Sequence, residues 1–94
     1  MIIELAEVMV QPGRVAEFIR MIEGLRQLIL NAGCRSLLVG HGIETPGKVI
    51  FVAQWDAVES HMTFQHSPAG TQFMSMIGPF LTARPTVEHY RPSI

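Results

Sequence analysis

The stretch Lys48 to His66, KVIFVAQWDAVESHMTFQH, concentrates the residue types that could do chemistry. It holds the only Trp of the chain, Trp55, and two of the four His, His61 and His66, follow within eleven residues of it. Histidine changes charge close to neutral pH, which suits it to taking and returning protons. Phe51, Trp55, Phe64, Phe73 and the Met residues, Met74 among them, suit an apolar pocket for a flat organic molecule. Each residue also has a purely structural reading. A Trp packs in cores, Met fills gaps in them, and His66 lies near a helix end, where a cation meets the helix dipole favourably. His61 fits a solvent-facing or capping position as well as a pocket. His41, in Gly40-His41-Gly42, is a further candidate, and His89 alternates with Glu88 and Tyr90 on a terminal strand, which predicts surface exposure.

Other chemistries find little support. His61 and His66 are five residues apart, which misses the i,i+4 spacing of a helical metal pair, and no second Cys accompanies Cys34. No metal is therefore expected. Cys34 has no neighbouring His or Lys in sequence to favour its thiolate and reads as inert. Glu4 and Glu7 interrupt an apolar strand on opposite faces; such a glutamate is more often edge-exposed or paired than catalytic. Phosphate loops, nucleophile elbows and dinucleotide fingerprints are absent.

Ninety-four residues make a single domain, 1–94. A chain of this size buries only about 60–65% of the surface its unfolded form exposes. Yet 48% of its residues are hydrophobic and its mean hydropathy is +0.28. That surplus points to a further buried surface, most simply a homodimer interface. Seven basic and eight acidic residues leave a net charge of −1 with no basic stripe, so nucleic acid is not an expected partner. One cysteine excludes an internal disulfide and fits a reducing cytoplasm. The N-terminal MIIELAEVMV has no basic n-region, and no apolar run approaches the roughly 18 residues of a membrane helix.

The elements that must position the candidates follow from periodicity. Ile2 to Val10 predicts a strand, closed by Gln11-Pro12-Gly13. Arg14 to Ala32 predicts a helix with Val15, Phe18, Ile19, Ile22, Leu25, Leu28, Ile29 and Ala32 on one stripe; Gly24 within it suggests close packing. Cys34 to Ile43 and Val49 to Trp55 predict a hairpin about Glu44-Thr45-Pro46-Gly47. A helix from about Ala57 to His66 follows, with Asp56 placed to cap it and Glu59 as reciprocal partner. Ser67-Pro68-Ala69-Gly70 interrupts; helical spacing resumes from Thr71 to Leu81 with a break near Gly78-Pro79. Thr86 to Arg91 predicts a last strand. The order β-α-β-β-α-β is the ferredoxin-like split arrangement, an α+β class with a four-stranded antiparallel sheet and its helices on one face. The other face carries apolar residues that a second subunit's sheet would cover.

AEVMVQPGRVAEF near the N-terminus, the Gly33-Cys34 step, PGKVIFVAQWD, FQHSPAG and the closing VEHYRP resemble the antibiotic-biosynthesis-monooxygenase-like (ABM) family, within the dimeric α+β barrel superfamily. The resemblance spans nearly the whole chain. It implies a homodimer through sheet faces and a pocket between sheet and helices in each subunit. Members include cofactor-independent monooxygenases of anthrones and quinols, haem-degrading oxygenases and lactone isomerases. In the anthrone-oxidising members a strand-three Trp lines the pocket and a tyrosine six residues later contacts the substrate; those positions are Trp55 and His61. An Asn used there is Phe51, and a basic residue of the later helix falls at Met74. The two His of the quinol-oxidising pattern fall at Phe64 and Ala69. The Asn, Trp and His of the haem degraders fall at Ala6, Phe64 and Met74, which disfavours that reaction. The resemblance thus implies oxidation of a small phenolic, quinol or polyketide-type aromatic by dioxygen, with His61 as the catalytic base and Trp55, Phe51, Phe64, Phe73 and Met74 binding substrate. A non-catalytic small-molecule carrier and a lactone-isomerase-like enzyme are the alternatives.

Overall fold

The computed structural model describes residues 1–94. Its elements are β1 (Ile2–Met9), α1 (Val15–Asn31), β2 (Ser36–His41), β3 (Lys48–Trp55), α2 (Val58–Gln65), α3 (Pro68–Ile77) and β4 (Thr86–Tyr90), with a 3-10 turn at Gly78–Phe80 before β4. The four strands form one antiparallel sheet in the order β2-β3-β1-β4. The ferredoxin-like α+β arrangement expected from periodicity is present, with the second helical segment divided into α2 and α3. No helix is long and apolar enough to cross a membrane.

Register places the site. Residues directly opposite in an antiparallel ladder point to the same face. Across β1 and β3 the pairs Glu4–Ala53, Ala6–Phe51 and Val8–Val49 face the helices, and Leu37 and Val39 of β2 extend that row. Across β1 and β4 the pair Glu4–His89 does the same. α1 lays Phe18, Ile22, Leu25 and Ile29 on this face, as its stripe predicts. Phe18 packs edge-on against Phe51 and Phe80, with ring centroids 6.2 and 5.5 Å apart.

The opposite face has no covering element. Leu5, Val52 and Leu38 line up across β1, β3 and β2, and Leu38 is 67% exposed. Ile3 and Ile50 are half-buried beside them.

Three local readings are corrected. Asp56 does not cap α2: both its carboxylate oxygens accept from Arg35, at 2.9 and 2.7 Å, and the N-cap residue is Ala57 without a side-chain bond. The guanidinium offers two charged donors where the helix end offers a neutral amide. Ser67-Pro68-Ala69-Gly70 does not break the helix so much as restart it. Ser67 is the N-cap, its hydroxyl oxygen accepting from Gly70 N at 3.1 Å while its O–H donates to Phe64 O at 2.6 Å, and Pro68 fills the first turn where no N–H is needed. Gly24 is exposed, and a Cβ placed there meets nothing within 4 Å, so it marks no close packing.

Gly70 is the opposite case. A Cβ there would lie 2.1 Å from Phe64 O and 2.9 Å from Gln65 O, backbone atoms that cannot yield cheaply. Gly70→Ala is therefore expected to destabilise the protein by about 2–4 kcal/mol, and Gly24→Ala to stabilise it by about 0.5–1 kcal/mol. Urea unfolding of the two variants, read as midpoints at unchanged slope, checks both signs.

Candidate functional site

All four strands and all three helices contribute to the lining of a cavity of about 340 Å³ between the sheet and the helices. This lies at the lower end of the range for small-molecule sites, about 300–1,000 Å³. Its floor is Ala6, Phe51, Ala53 and Trp55 from β1 and β3, and α2 and α3 add Phe64, Phe73, Met74 and Ile77. Phe64 and Phe73 are tilted neighbours 6.1 Å apart, and Phe73 meets Phe51 edge-on at 6.2 Å. Phe51 and Phe64 form walls and do not fill the space. Met74 is half-exposed, which places it where the wall reaches solvent.

The polar atoms gather beside Trp55. Glu4, 9% exposed, is the third residue of β1 and lines the cavity. Its Oε1 accepts from Trp55 Nε1 at 2.9 Å. His61, 4% exposed, stacks on the Trp55 ring at 5.1 Å and 28°. Its Nε2 lies 3.4 Å from Glu4 Oε1, beyond good hydrogen-bond length. Its Nδ1 is 2.7 Å from His89 Nε2. Every fully buried side-chain N or O in the protein has a hydrogen-bond partner.

Burial acts on Glu4 and His61 in the same direction, towards their uncharged forms. It raises the Glu4 carboxyl above its ordinary value, opposed more weakly by the Trp55 hydrogen bond and the charge of His89. It lowers His61 from 6.5 to about 4, helped by His89. A carboxylate 3.4 Å from an imidazole could in principle form an ion pair. Here desolvation outweighs that attraction for the imidazole. No group of three His, Cys, Asp or Glu side chains is disposed to hold a metal ion. Glu4, His61 and His89 run in a line through opposite nitrogens of His61 and do not converge on a point.

All six residues expected to form the site border one cavity: His61, Trp55, Phe51, Phe64, Phe73 and Met74. His66 also borders it, from an exposed position at the end of α2. His41 is exposed at the end of β2 and does not. Cys34 is buried, its thiol donating to Ser36 O at 3.1 Å, and burial raises its pKa, in keeping with an inert thiol. Of the two readings of Glu4, edge-exposed or paired, the second holds: it is bonded to Trp55 and lies beside His61, on an inner strand. The surface exposure predicted for His89 does not hold. His89 is half-buried and bonded to His61, because its alternation turns it towards the helices while Glu88 and Tyr90 face away. The signal that finds both is the sheet register, which sets Glu4 opposite His89.

The shifts make a stability statement. A His held neutral in the fold but free to charge when unfolded costs stability as pH falls from 6.5 to about 4. At about 1.4 kcal/mol per pKa unit the upper limit of that loss is about 3.5 kcal/mol. Glu4 works in the opposite sense: its raised pKa disfavours the fold at high pH, and that penalty fades as pH falls towards its unfolded value of 4.5. His61→Gln is expected to lose less stability than the parent between pH 6.5 and 4, measured by chemical denaturation at each pH. Equal slopes for the two proteins over that window would contradict the buried neutral imidazole.

Residues 1–75 match the family model described as antibiotic biosynthesis monooxygenase. A Bordetella bronchiseptica protein, provisionally an antibiotic biosynthesis monooxygenase, superposes with a TM-score of 0.94 at 30% identity, over 99% of this chain and 97% of that one. A Caulobacter crescentus CB15 protein with the same provisional assignment gives 0.85 at 17% identity, over 99% and 90% of the two chains. A conserved protein from Methanosarcina mazei Go1 gives 0.83 at 22% identity, over 98% and 92%. The latter two likenesses concern the fold alone. No curated protein matches the chain. A family match over four-fifths of the residues, with a relative of the same shape at 30% identity, places this chain in the antibiotic biosynthesis monooxygenase family.

Proposed function

We propose that the protein is a monooxygenase that acts on a small, flat phenolic, quinol or polyketide-type aromatic, using dioxygen and no cofactor. Family membership supports a monooxygenase-type activity in general. The observation that carries the finer reading is an aromatic-walled cavity whose buried polar groups are Glu4 and His61, paired beside the only Trp.

Dioxygen reacts slowly with closed-shell molecules, and an electron-rich anion lowers that barrier by giving up one electron. The site must therefore take a proton from the substrate hydroxyl and exclude water while doing so. His61, neutral down to about pH 4, has a lone pair to offer at neutral pH. Glu4, with its raised pKa, is placed to share the proton. The phenyl walls and Trp55 hold the ring. The balance closes without an external reductant: the substrate loses two hydrogens and gains one oxygen atom, and the second oxygen leaves with those hydrogens as water.

The open sheet face supports a homodimer. The row Leu5, Val52 and Leu38, flanked by Ile3 and Ile50, is an apolar patch that a second sheet would cover at about 10 Å spacing. Sedimentation is expected to show a dimer for the parent and a monomer for Leu5→Lys combined with Val52→Lys. A monomeric parent at micromolar concentration would remove the dimer from this reading.

Oxygen uptake by the metal-free protein with a panel of anthrones and naphthoquinols tests the activity. His61→Ala is expected to lower the rate at least tenfold. Tight binding of panel members without turnover would instead favour a carrier, and oxygen-independent conversion of a lactone would favour an isomerase.

A further inference from the structure

Both ring nitrogens of His61 have neighbours, and only one of those neighbours lies on the cavity side. Glu4 Oε1 is 3.4 Å from Nε2 and lines the cavity. His89 Nε2 is 2.7 Å from Nδ1, and the His89 ring centroid lies 5.0 Å away at 59°. His89 is half-buried on β4, a strand paired on one side only, so its far edge reaches the surface. It does not line the cavity. A 2.7 Å separation between two imidazole nitrogens requires that one carries a proton and the other accepts it.

We infer that Glu4, His61 and His89 form a proton relay joining the buried cavity to solvent at β4, with His89 as its outer station. The inference rests on the reaction proposed above. His61 carries its proton on Nδ1, donating to His89 Nε2, which leaves the Nε2 lone pair towards Glu4 and the cavity. When the substrate O–H bond breaks, the electron pair stays on the substrate oxygen. The proton forms a new bond at His61 Nε2, directly or through the Glu4 carboxylate. The Nδ1 proton then passes to His89 Nε2, and His89 gives its own Nδ1 proton to water. The same path in reverse returns a proton to the oxygen that leaves as water, so the relay is reset within one turnover.

The surroundings leave few rivals for this role. Glu4 from β1 and His89 from β4 are the titratable groups facing His61. β3 contributes Trp55, whose N–H donates to Glu4, and α3 contributes only Gly70, Phe73, Met74 and Ile77 to the cavity. His66 borders the cavity from α2 and has no hydrogen bond to the three. Cys34 feels the charge of Glu4 but donates to Ser36 O. A lone buried imidazole that stays neutral to about pH 4 would hold an accepted proton poorly, and a second imidazole in contact gives that proton somewhere to go.

His89→Gln separates positioning from transfer. A glutamine oxygen at this site still accepts from His61 Nδ1 but cannot carry a proton onward. His89→Phe removes both functions. Nitrogen-15 imidazole spectra of the substrate-free protein are expected to show His61 protonated on Nδ1 in the parent and in His89→Gln, and a mixed tautomer in His89→Phe. In the oxygen-uptake assay both variants are expected to lose at least tenfold in kcat with KM within twofold, and both to recover at least fivefold with added imidazole buffer. Full activity in His89→Gln, or a loss that imidazole does not relieve, overturns the relay. An Nδ1-unprotonated His61 in the parent overturns it without reference to any substrate. The spectra thus distinguish failure of the relay from absence of turnover on the panel, which bears on the proposed reaction alone.

Discussion

A carboxylic acid stands on β1, one of the two inner strands, and faces the helix-covered side of the sheet. That constraint organises the rest. An unpartnered carboxylate there would cost several kcal/mol, more than so small a fold can easily bear. Glu4 is tolerated because Trp55 offers an indole N–H at 2.9 Å, because His61 lies alongside, and because burial favours its protonated form. Trp55 in turn is fixed at the end of β3, 1% exposed, against the Phe64 and His61 rings of α2. The cavity is the space these large rings leave between sheet and helices. Its polar end is thus a by-product of satisfying one buried acid, and also the part of the molecule with chemistry to offer.

The α2–α3 junction serves the same end. His61 must reach inward from α2 while Phe73 and Met74 reach inward from α3. One continuous helix turns its faces by 100° per residue and cannot hold both groups over the sheet for this length. The Ser67 cap and the Gly70 contact with Phe64 O let the chain turn within three residues. The absence of a side chain at Gly70 brings the second helix close to the first and leaves a concave wall in place of a filled groove.

Much of this was legible in the residues. The stripe of α1, the hairpin, the alternation of β3 and the position of Trp55 and His61 follow from local periodicity, which operates within a few residues. Glu4 and His89 were not legible in that way. Their meaning depends on β1 lying between β3 and β4 and on the register that sets them opposite each other, a pairing of positions 4 and 89 near the two ends of the chain. Read locally, a glutamate in an apolar strand looks edge-exposed or paired and a histidine on a last strand looks like surface. Asp56 failed for a related reason: a good local cap was overridden by Arg35, twenty-one residues away and better matched in charge.

β1 bears two properties at once. Its even-numbered residues, Glu4, Ala6 and Val8, set the polarity and floor of the cavity, while Ile3, Leu5 and Met9 give the open face its apolar part, with Glu7 among them. Substitutions can alter either property alone. Insertion or deletion of one residue cannot, because a one-step slip carries every side chain to the other face. Glu4 would leave Trp55 for the open face and Leu5 would enter the cavity. Length variation in this strand is therefore closed to the protein as a route of change. A change in the cavity's lining must come by point replacement along it, or by variation in the turns beyond its ends.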